Sequence, residues 1–282
     1  MLVEKITSRQ NPLVKRFRQV RDGAQRHHIF LEGVRLVEEA LSAGAHFEIV
    51  AYSPELESGG RGVALLEQLR NVPCRGAYVS KPVMEAIAAT EAPQGVIALV
   101  SRPHYELDDV MGIEPQLIVI ADELQDPGNL GTIIRTAEAA GATALITTRH
   151  TVDPFNIKAL RASMGAALRL PVAADIGLPD VVASCQDKGV KLIATQPQKE
   201  VGLTDAAGGV KRYDAVDLTG PVGLLVGREA TGASDGALAA ADSLLYIPMK
   251  PGVESLNVAA ATAIVLYEAA RQRGFAFGTV LQ

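Results

Sequence analysis

Residues 247–268 read IPMKPGVESLNVAAATAIVLYE, and the two halves of this stretch obey different rules. Pro248, Pro251 and Gly252 crowd the first half, Ile247–Asn257, and no helix interior tolerates them well. The second half, Val258–Glu268, is rich in Ala, carries Ile264, Val265 and Leu266, and predicts a buried helix. Ser255 and Asn257 stand at the seam. Both are good N-cap residues, and one of them is expected to start the helix. An irregular loop feeding a helix N-terminus presents free backbone N–H groups to a ligand. Taken alone, the stretch reads equally well as an ordinary capped core helix, so its surroundings must decide.

Upstream of it, strand-like and helical segments alternate. Gln116–Ala121 (QLIVIA) is a mostly apolar run suited to a strand buried on both faces. Helices are predicted over Leu130–Ala140, Asn156–Ala167, Leu178–Asp187 and Ser234–Ala240, and strands over Ala144–Thr147, Leu170–Ala173, Lys191–Thr195, Val222–Val226 and Ser243–Ile247. Gln196–Thr219 reads as irregular. The last helix is expected over Asn257–Arg273. This density of alternation implies a parallel sheet with helices on both faces. In such sheets ligands sit beyond the carboxyl ends of the strands, where the loops after Ala121, Val226 and Ile247 fall.

The N-terminal part alternates too. Helices are predicted over Asn11–Arg21, Gly33–Ala43 with Gly44 as the stop, Val63–Leu69 and Lys81–Ala89. Strands are predicted over His28–Leu31, Phe47–Tyr52, Gly76–Val79 and Gly95–Val100. The segment Ser101–Pro115 breaks the pattern with two prolines, a glycine and four acidic residues. The chain is therefore divided into a small α/β domain at 1–101, a linker at 102–115 and a parallel-sheet domain at 116–282.

Composition bounds the function. Charged residues make up 21% of the chain and no apolar run approaches the ~18 residues of a membrane span, so the expectation is a soluble, cytoplasmic protein. Cys74 and Cys185 are the only cysteines, and their spacing suits neither a disulfide framework nor zinc. The net charge of −5 argues mildly against a polyanion partner. It hides a basic run, however: Lys5, Arg9, Lys15, Arg16, Arg18, Arg21, Arg26 and Arg35 face only Asp22 and Glu32. Such a run can bind phosphates even on an acidic protein, or be merely a solvated helix face. His27 and His28 lie within it and read as surface or RNA-facing.

Three loops carry unusual content. After Ala121 come Asp126-Pro127-Gly128-Asn129, a turn cluster, and then Arg135 in an otherwise apolar helix. An Arg there calls for a phosphate or carboxylate, and Asn129 and Arg135, six residues apart, are expected to share one cleft. Gly131 suggests a close backbone approach. After Val226, Gly227 and Gly232 bracket the single carboxylate Glu229. The third loop is Ile247–Asn257. GxGxxG after a strand, GxxxxGK[ST] and HExxH are all missing, which disfavours a dinucleotide fold, a P-loop and a zincin.

Together the loops resemble the three motifs of the SpoU (TrmH) family of RNA ribose 2′-O-methyltransferases, in the SPOUT superfamily. Asn129 and Arg135 match an Asn-x5-Arg motif. Gly227, Glu229 and Gly232 match Gly-x-Glu-x-x-Gly. Ile247-Pro248-Met249 and Ser255-Leu256-Asn257 match the third. The match covers about Gln116–Arg273, with the segment 250–254 departing from the family pattern. The stretch FLEGVRLVEEAL from Phe30 is similar to the substrate-binding domain often attached to this family.

The resemblance implies a deep trefoil knot near the C-terminus, S-adenosylmethionine as cofactor, no metal, and a homodimer formed through the knotted domain. It implies an RNA substrate, ribosomal RNA in preference to transfer RNA. It places Gly227, Ile247 and Leu256 at the cofactor through backbone groups, with Thr195 nearby. Glu229 is expected to brace the knot loops and Asn257 to order the catalytic centre, while Asn129, Arg135 and Ser255 contact the target ribose. Arg9, Lys15, Arg16, Arg18, Arg21 and Arg35 are expected to hold RNA phosphates.

Overall fold

The computed structural model describes residues 2–114, 116–196, 209–228, 232–253 and 255–276. The chain divides into two compact units, residues 1–103 with 155–157, and residues 104–154 with 158–282.

The first unit holds strands β1 (Leu2–Ile6), β2 (His28–Glu32), β3 (Phe47–Tyr52), β4 (Arg75–Val79) and β5 (Val96–Ser101) in the order β1-β4-β3-β5-β2. Pairing is parallel across β1-β4-β3 and antiparallel where β5 meets β3 and β2. Four helices accompany them: α1 (Pro12–Arg21), α2 (Val34–Ser42), α3 (Gly60–Arg70) and α4 (Lys81–Ile87). Asn11 caps α1 by accepting the Leu13 N–H at 2.8 Å, and Pro12 sits at the first turn, where its missing N–H costs nothing. The α1 face Leu13, Val14, Phe17 and Val20 is buried at the helical spacing the sequence shows. Strand β1 escaped the sequence reading because its first four positions are exposed on a sheet edge, with no apolar alternation to betray it.

The linker expected at 102–115 is not one continuous connector. Helix α5 (Leu107–Met111) forms there, and Val110 and Met111 are fully buried in the core of the second unit. Glu106 and Asp109 make a reciprocal capping box, so the acidic residues read as linker composition serve as helix-start signals.

The second unit is built on a seven-stranded, all-parallel sheet. Its strands are β6 (Leu117–Ala121), β7 (Ala144–Thr148), β8 (Val172–Ile176), β9 (Lys191–Thr195), β10 (Val210–Arg212), β11 (Val222–Val226) and β12 (Ser243–Tyr246). Their order is β10-β12-β9-β11-β6-β7-β8. Every position of β6 and β11 is buried, as their unbroken apolar runs require. The helices are α6 (Pro127–Ala139), α7 (Ile157–Ser163), α8 (Leu178–Lys188), α9 (Asp235–Ala240) and α10 (Val258–Gln272). Residues of α5, α8 and α9 share one core with a face of the sheet, and α10 packs against α6. Gly131 of α6 allows that helix to approach α7: a Cβ there would lie 2.3 Å from the Ala159 carbonyl oxygen and 2.7 Å from the Ala162 Cβ. The sequence counts outward from β6 through β7 to β8, then resumes on the other side with β9. The order therefore reverses at β6, and the crevice beyond β6, β11, β9 and β12 is where such sheets take ligands.

Candidate active site

The site grows from four neighbouring strand ends. Asp126 caps α6, accepting the Asn129 N–H at 2.7 Å, so the helix starts at Pro127 rather than at the expected Leu130. Asn129 is thus the third residue of the helix. Asn257 caps α10 and was one of the two candidates for that position; its Oδ1 accepts the N–H groups of Ala259 at 2.9 Å and Ala260 at 3.3 Å. Its Nδ2 donates to Asn129 Oδ1 at 2.9 Å, which joins the first and third loops.

The early start of α6 corrects one expectation. Within a helix, six residues separate Asn129 and Arg135 by about 9 Å along the axis and roughly 120° around it. They do not share a face. Asn129 is turned to Asn257, and Arg135 stands exposed on its own side of α6.

Thr195 is the last residue of β9, half-buried and paired in register with Leu245. Ile247 follows β12 directly and is half-buried; Gly227 follows β11 and is buried. A Cβ on Gly227 would fall 2.1 Å from the Ala233 nitrogen, so only glycine lets the chain double back here. The return is closed by two backbone bonds, Arg228 N–H to Gly232 O at 2.8 Å and Gly232 N–H to Arg228 O at 3.0 Å. Ser255 and Leu256 are exposed at the mouth of the third loop. Glu229 lies outside the described residues.

The expected RNA cluster divides in two. In α1, Arg18 donates to the Ala86 carbonyl at 3.0 Å, and Arg21 donates to the Ala88 carbonyl at 3.0 Å and to Asp22 at 2.8 Å. Both thereby satisfy the carbonyl end of α4, where a helix leaves acceptors unpaired and favours positive charge. Arg16 is paired with Glu48, whose carboxylate also accepts from the His28 ring at 2.7 Å, so His28 is half-buried rather than a surface group. Burial would raise the Glu48 pKa, but the His28 hydrogen bond and the Arg16 charge outweigh it and hold the carboxyl below its usual range. Arg9 donates to the Pro82 carbonyl at 3.0 Å. Lys15 and Arg35 are exposed.

Two acidic residues of the site carried no weight in the sequence reading. Asp122 is buried; its Oδ1 accepts from the Thr148 hydroxyl at 2.8 Å and its Oδ2 from the Ser234 N–H at 3.0 Å. Glu123 is ion-paired with Arg228. The available signal was their position: two carboxylates immediately after a fully apolar strand, at its carboxyl end.

The site offers backbone groups, neutral amides and open apolar side chains, Leu256 and Val253. Among the described residues no His, Cys, Asp or Glu group is gathered closely enough to hold a metal ion. An open parallel sheet whose carboxyl-end loops converge in this way defines an α/β domain built to take a small ligand at its strand ends. The SpoU rRNA Methylase family model matches residues 116–267, and the chain belongs to that family. A second model, the MRM3-like substrate binding domain, matches residues 4–98.

The chain is similar over most of its length to named relatives. It is 35% identical over 277 residues to an uncharacterized tRNA/rRNA methyltransferase of Synechocystis sp., covering 96% of this chain and 95% of that protein. It is 32% identical to the 23S rRNA (guanosine(2553)-2′-O)-methyltransferase RlmP of Bacillus subtilis, over 94% of this chain and 98% of that one. Among solved structures, the AdoMet-bound rRNA methyltransferase from Sinorhizobium meliloti superposes with a TM-score of 0.81 at 32% identity, covering 95% of this chain and 98% of that one.

Proposed function

We propose that this chain transfers a methyl group from S-adenosylmethionine to a ribose 2′-hydroxyl of ribosomal RNA. The observation that carries the reading is the Asn257–Asn129 hydrogen bond, which joins two of the three motif loops at the strand ends of a SpoU-type domain. The RlmP relative is named for ribose methylation of 23S rRNA, which favours ribosomal over transfer RNA.

The donor set fits the cofactor. Backbone groups at Gly227, Ile247 and Leu256 suit the edges of an adenine, and the exposed Leu256 and Val253 side chains suit its face. Bound there, S-adenosylmethionine supplies a methyl group made electrophilic by its sulfonium. The protein's task is to place a hydroxyl oxygen in line with that methyl and stabilise the oxygen as its proton leaves. Positioning of this kind contributes several orders of magnitude. Asn129, held by Asn257, is assigned to the ribose together with Ser255, and Glu229 to bracing the second loop. Arg135 is assigned to the RNA phosphate and the developing alkoxide; a guanidinium keeps its proton in water and is a poor base.

The same reading gives the chain a homodimer and a trefoil knot. Ala260, Ile264, Tyr267 and Arg271 form one exposed stripe along α10, and Ile264 and Tyr267 are 37% and 47% exposed, apolar surface of the kind a partner covers. Arg135 lies on α6, against which α10 packs, at a position suited to the partner's substrate rather than to Asn129 of its own protomer. The knot is supported by the insertion of β11 between β9 and β6 and by the return of α10 to α6. The first unit is assigned to binding RNA. Among the described residues no helix is long and apolar enough to cross a membrane, and a cytoplasmic site of action is proposed.

Mapping 2′-O-methyl groups in total RNA with and without the gene tests this reading. One ribosomal nucleotide should lose its methyl in the deletion and regain it with the purified protein; a methyl lost from a base nitrogen or from transfer RNA overturns it.

A further inference from the structure

Glu123 carries a backbone it should avoid. Its φ is +55°, in the left-handed region where a side chain is strained and Gly or Asn is favoured. The strain is held in place from several sides. The Glu123 N–H donates to the Thr148 hydroxyl at 3.2 Å, and its carbonyl accepts the Gln125 side-chain amide at 2.9 Å. The same amide donates to the carbonyl of His150, at 2.6 Å, itself a left-handed residue at φ +67°. Thr148 in turn donates to the buried Asp122 carboxylate.

The outcome of this bracing is one contact: the Glu123 carboxylate meets the Arg228 guanidinium. Arg228 follows Gly227 and pairs through its backbone with Gly232, so it opens the second motif loop. The other end of that loop is fastened as well, because Asp122 takes the Ser234 N–H. Two consecutive residues leaving β6 therefore grip both ends of the loop leaving the neighbouring strand β11. The Asp122 N–H also donates to the Val226 carbonyl at 2.8 Å, which carries the strand pairing one residue into the site.

We propose that Glu123 is a positioning residue for the cofactor, a latch that holds the Gly227–Gly232 loop through Arg228. The proposal rests on the reading above, which gives that loop to S-adenosylmethionine. An ordinary exposed ion pair contributes little, because two long side chains must be frozen to form it. Here the glutamate backbone is already fixed by Thr148 and, through the Gln125 amide, by His150, so part of that ordering is complete before the pair closes. The strained backbone is sustained where it presents a carboxylate across the site, the pattern in which local strain serves function. Asp122 holds the loop's far end from a buried position and Glu123 its near end from the solvent edge. The two carboxylates divide the work: the first belongs to the fold, the second to the affinity of the loop for its ligand.

Glu123→Gly separates these roles, since glycine adopts this φ without strain and the variant is expected to fold. The experiment titrates S-adenosylhomocysteine calorimetrically into the full-length wild type, Glu123→Gly, Glu123→Gln and the exchanged pair Glu123→Arg with Arg228→Glu, and records melting temperature alongside. Glu123→Gly is expected to melt at or above the wild-type temperature and to bind roughly fivefold more weakly, the upper range for a partly exposed pair. Its KM for S-adenosylmethionine rises and kcat holds, the mark of lost uniform binding. Glu123→Gln behaves alike, and the exchanged pair recovers affinity. If the wild type binds and Glu123→Gly binds equally well, the latch is overturned and the cofactor reading stands. If affinity falls only together with melting temperature and the exchanged pair restores neither, Glu123 is a fold residue and the proposal fails. If the wild type itself does not bind, the cofactor reading falls and takes the latch with it.

Discussion

The Nδ2 of Asn257 donates to Oδ1 of Asn129 at 2.9 Å, across 128 positions of sequence, while the Oδ1 of the same Asn257 caps its own helix. One amide therefore serves two structures, and substitution can separate them. Asn257→Ser keeps an oxygen for the N–H groups of α10 and should hold the melting temperature near wild type. Asn257→Ala should lose about 1 kcal/mol of stability with the cap. Alanine has no donor for Asn129 and the serine hydroxyl is too short to replace the amide Nδ2, so methyl transfer should fall by roughly 10² in each, the scale of a misplaced reacting group. Thermal melts beside single-turnover assays check this. Full activity in the Ser variant would confine Asn257 to capping.

Arg135 is exposed, so Arg135→Ala should fold and bind cofactor as the wild type does. Methyl transfer should fall by roughly 10² or more if the guanidinium stabilises the transition state. Arg135→Lys should recover little, because a point charge does not reproduce the planar fork. Mixed dimers of Arg135→Ala and Asn257→Ala subunits should regain part of the activity, since one of the two composite sites is then intact. Mixtures no more active than their parents would place Arg135 in its own protomer's site.

The basic run of the first unit should split by function. Replacing Arg18 and Arg21 with Met removes donors to the end of α4 and should cost roughly 1–3 kcal/mol of stability. Replacing the exposed Lys15 and Arg35 with Ala should leave the melting temperature unchanged. It should reduce the salt dependence of RNA binding by about one unit of slope per lost contact. Filter binding across a salt series distinguishes the two pairs.

Gly227→Ala should disable the second loop, because its Cβ would strike the backbone at Ala233. Overpacking of this kind costs about 1–3 kcal/mol, and the loop has to move to relieve it. Calorimetry should show both a lower melting temperature and loss of S-adenosylhomocysteine binding. Unchanged binding would remove Gly227 from the cofactor site.

Much of the second unit is legible in the sequence because its strands are buried on both faces and its helices are capped in recognisable ways. The limits of β9 and β11 were read as they stand, and Asn257 was one of two candidates for the cap it makes. What was missed has physical reasons. Strand β1 lies on an exposed edge, and α5 is one short turn whose acidic caps imitate a linker. The start of α6 was misplaced because Pro127 and Gly128 are tolerated in a first turn, where their defects cost little. With Asn129 inside the helix, its six-residue spacing from Arg135 sets the two roughly 120° apart around α6. The roles of Arg18 and Arg21 were hidden because their acceptors are carbonyls 65 to 68 positions away, and composition does not register a carbonyl. The grip of Asp122 on Ser234 spans 112 positions and is equally silent.

The fastening of α10 bears on how the protein comes into being. At its start the helix is tied to α6 through Asn257, and at its end Arg273 donates to the carbonyls of Leu218 at 2.8 Å and Gln116 at 3.1 Å. Gln116 leads into the central strand β6, whose neighbour β11 begins only at Val222. A ribosome has therefore to deliver more than 100 further residues before β6 acquires that neighbour, and more still before α10 can lock it. Contacts of such long sequence separation form slowly, because the loop entropy must be overcome before they contribute. The nascent chain passes through a period in which the first unit is complete and the β6 side of the second waits open. Catalytic competence arrives last, with the helix that also closes the fold.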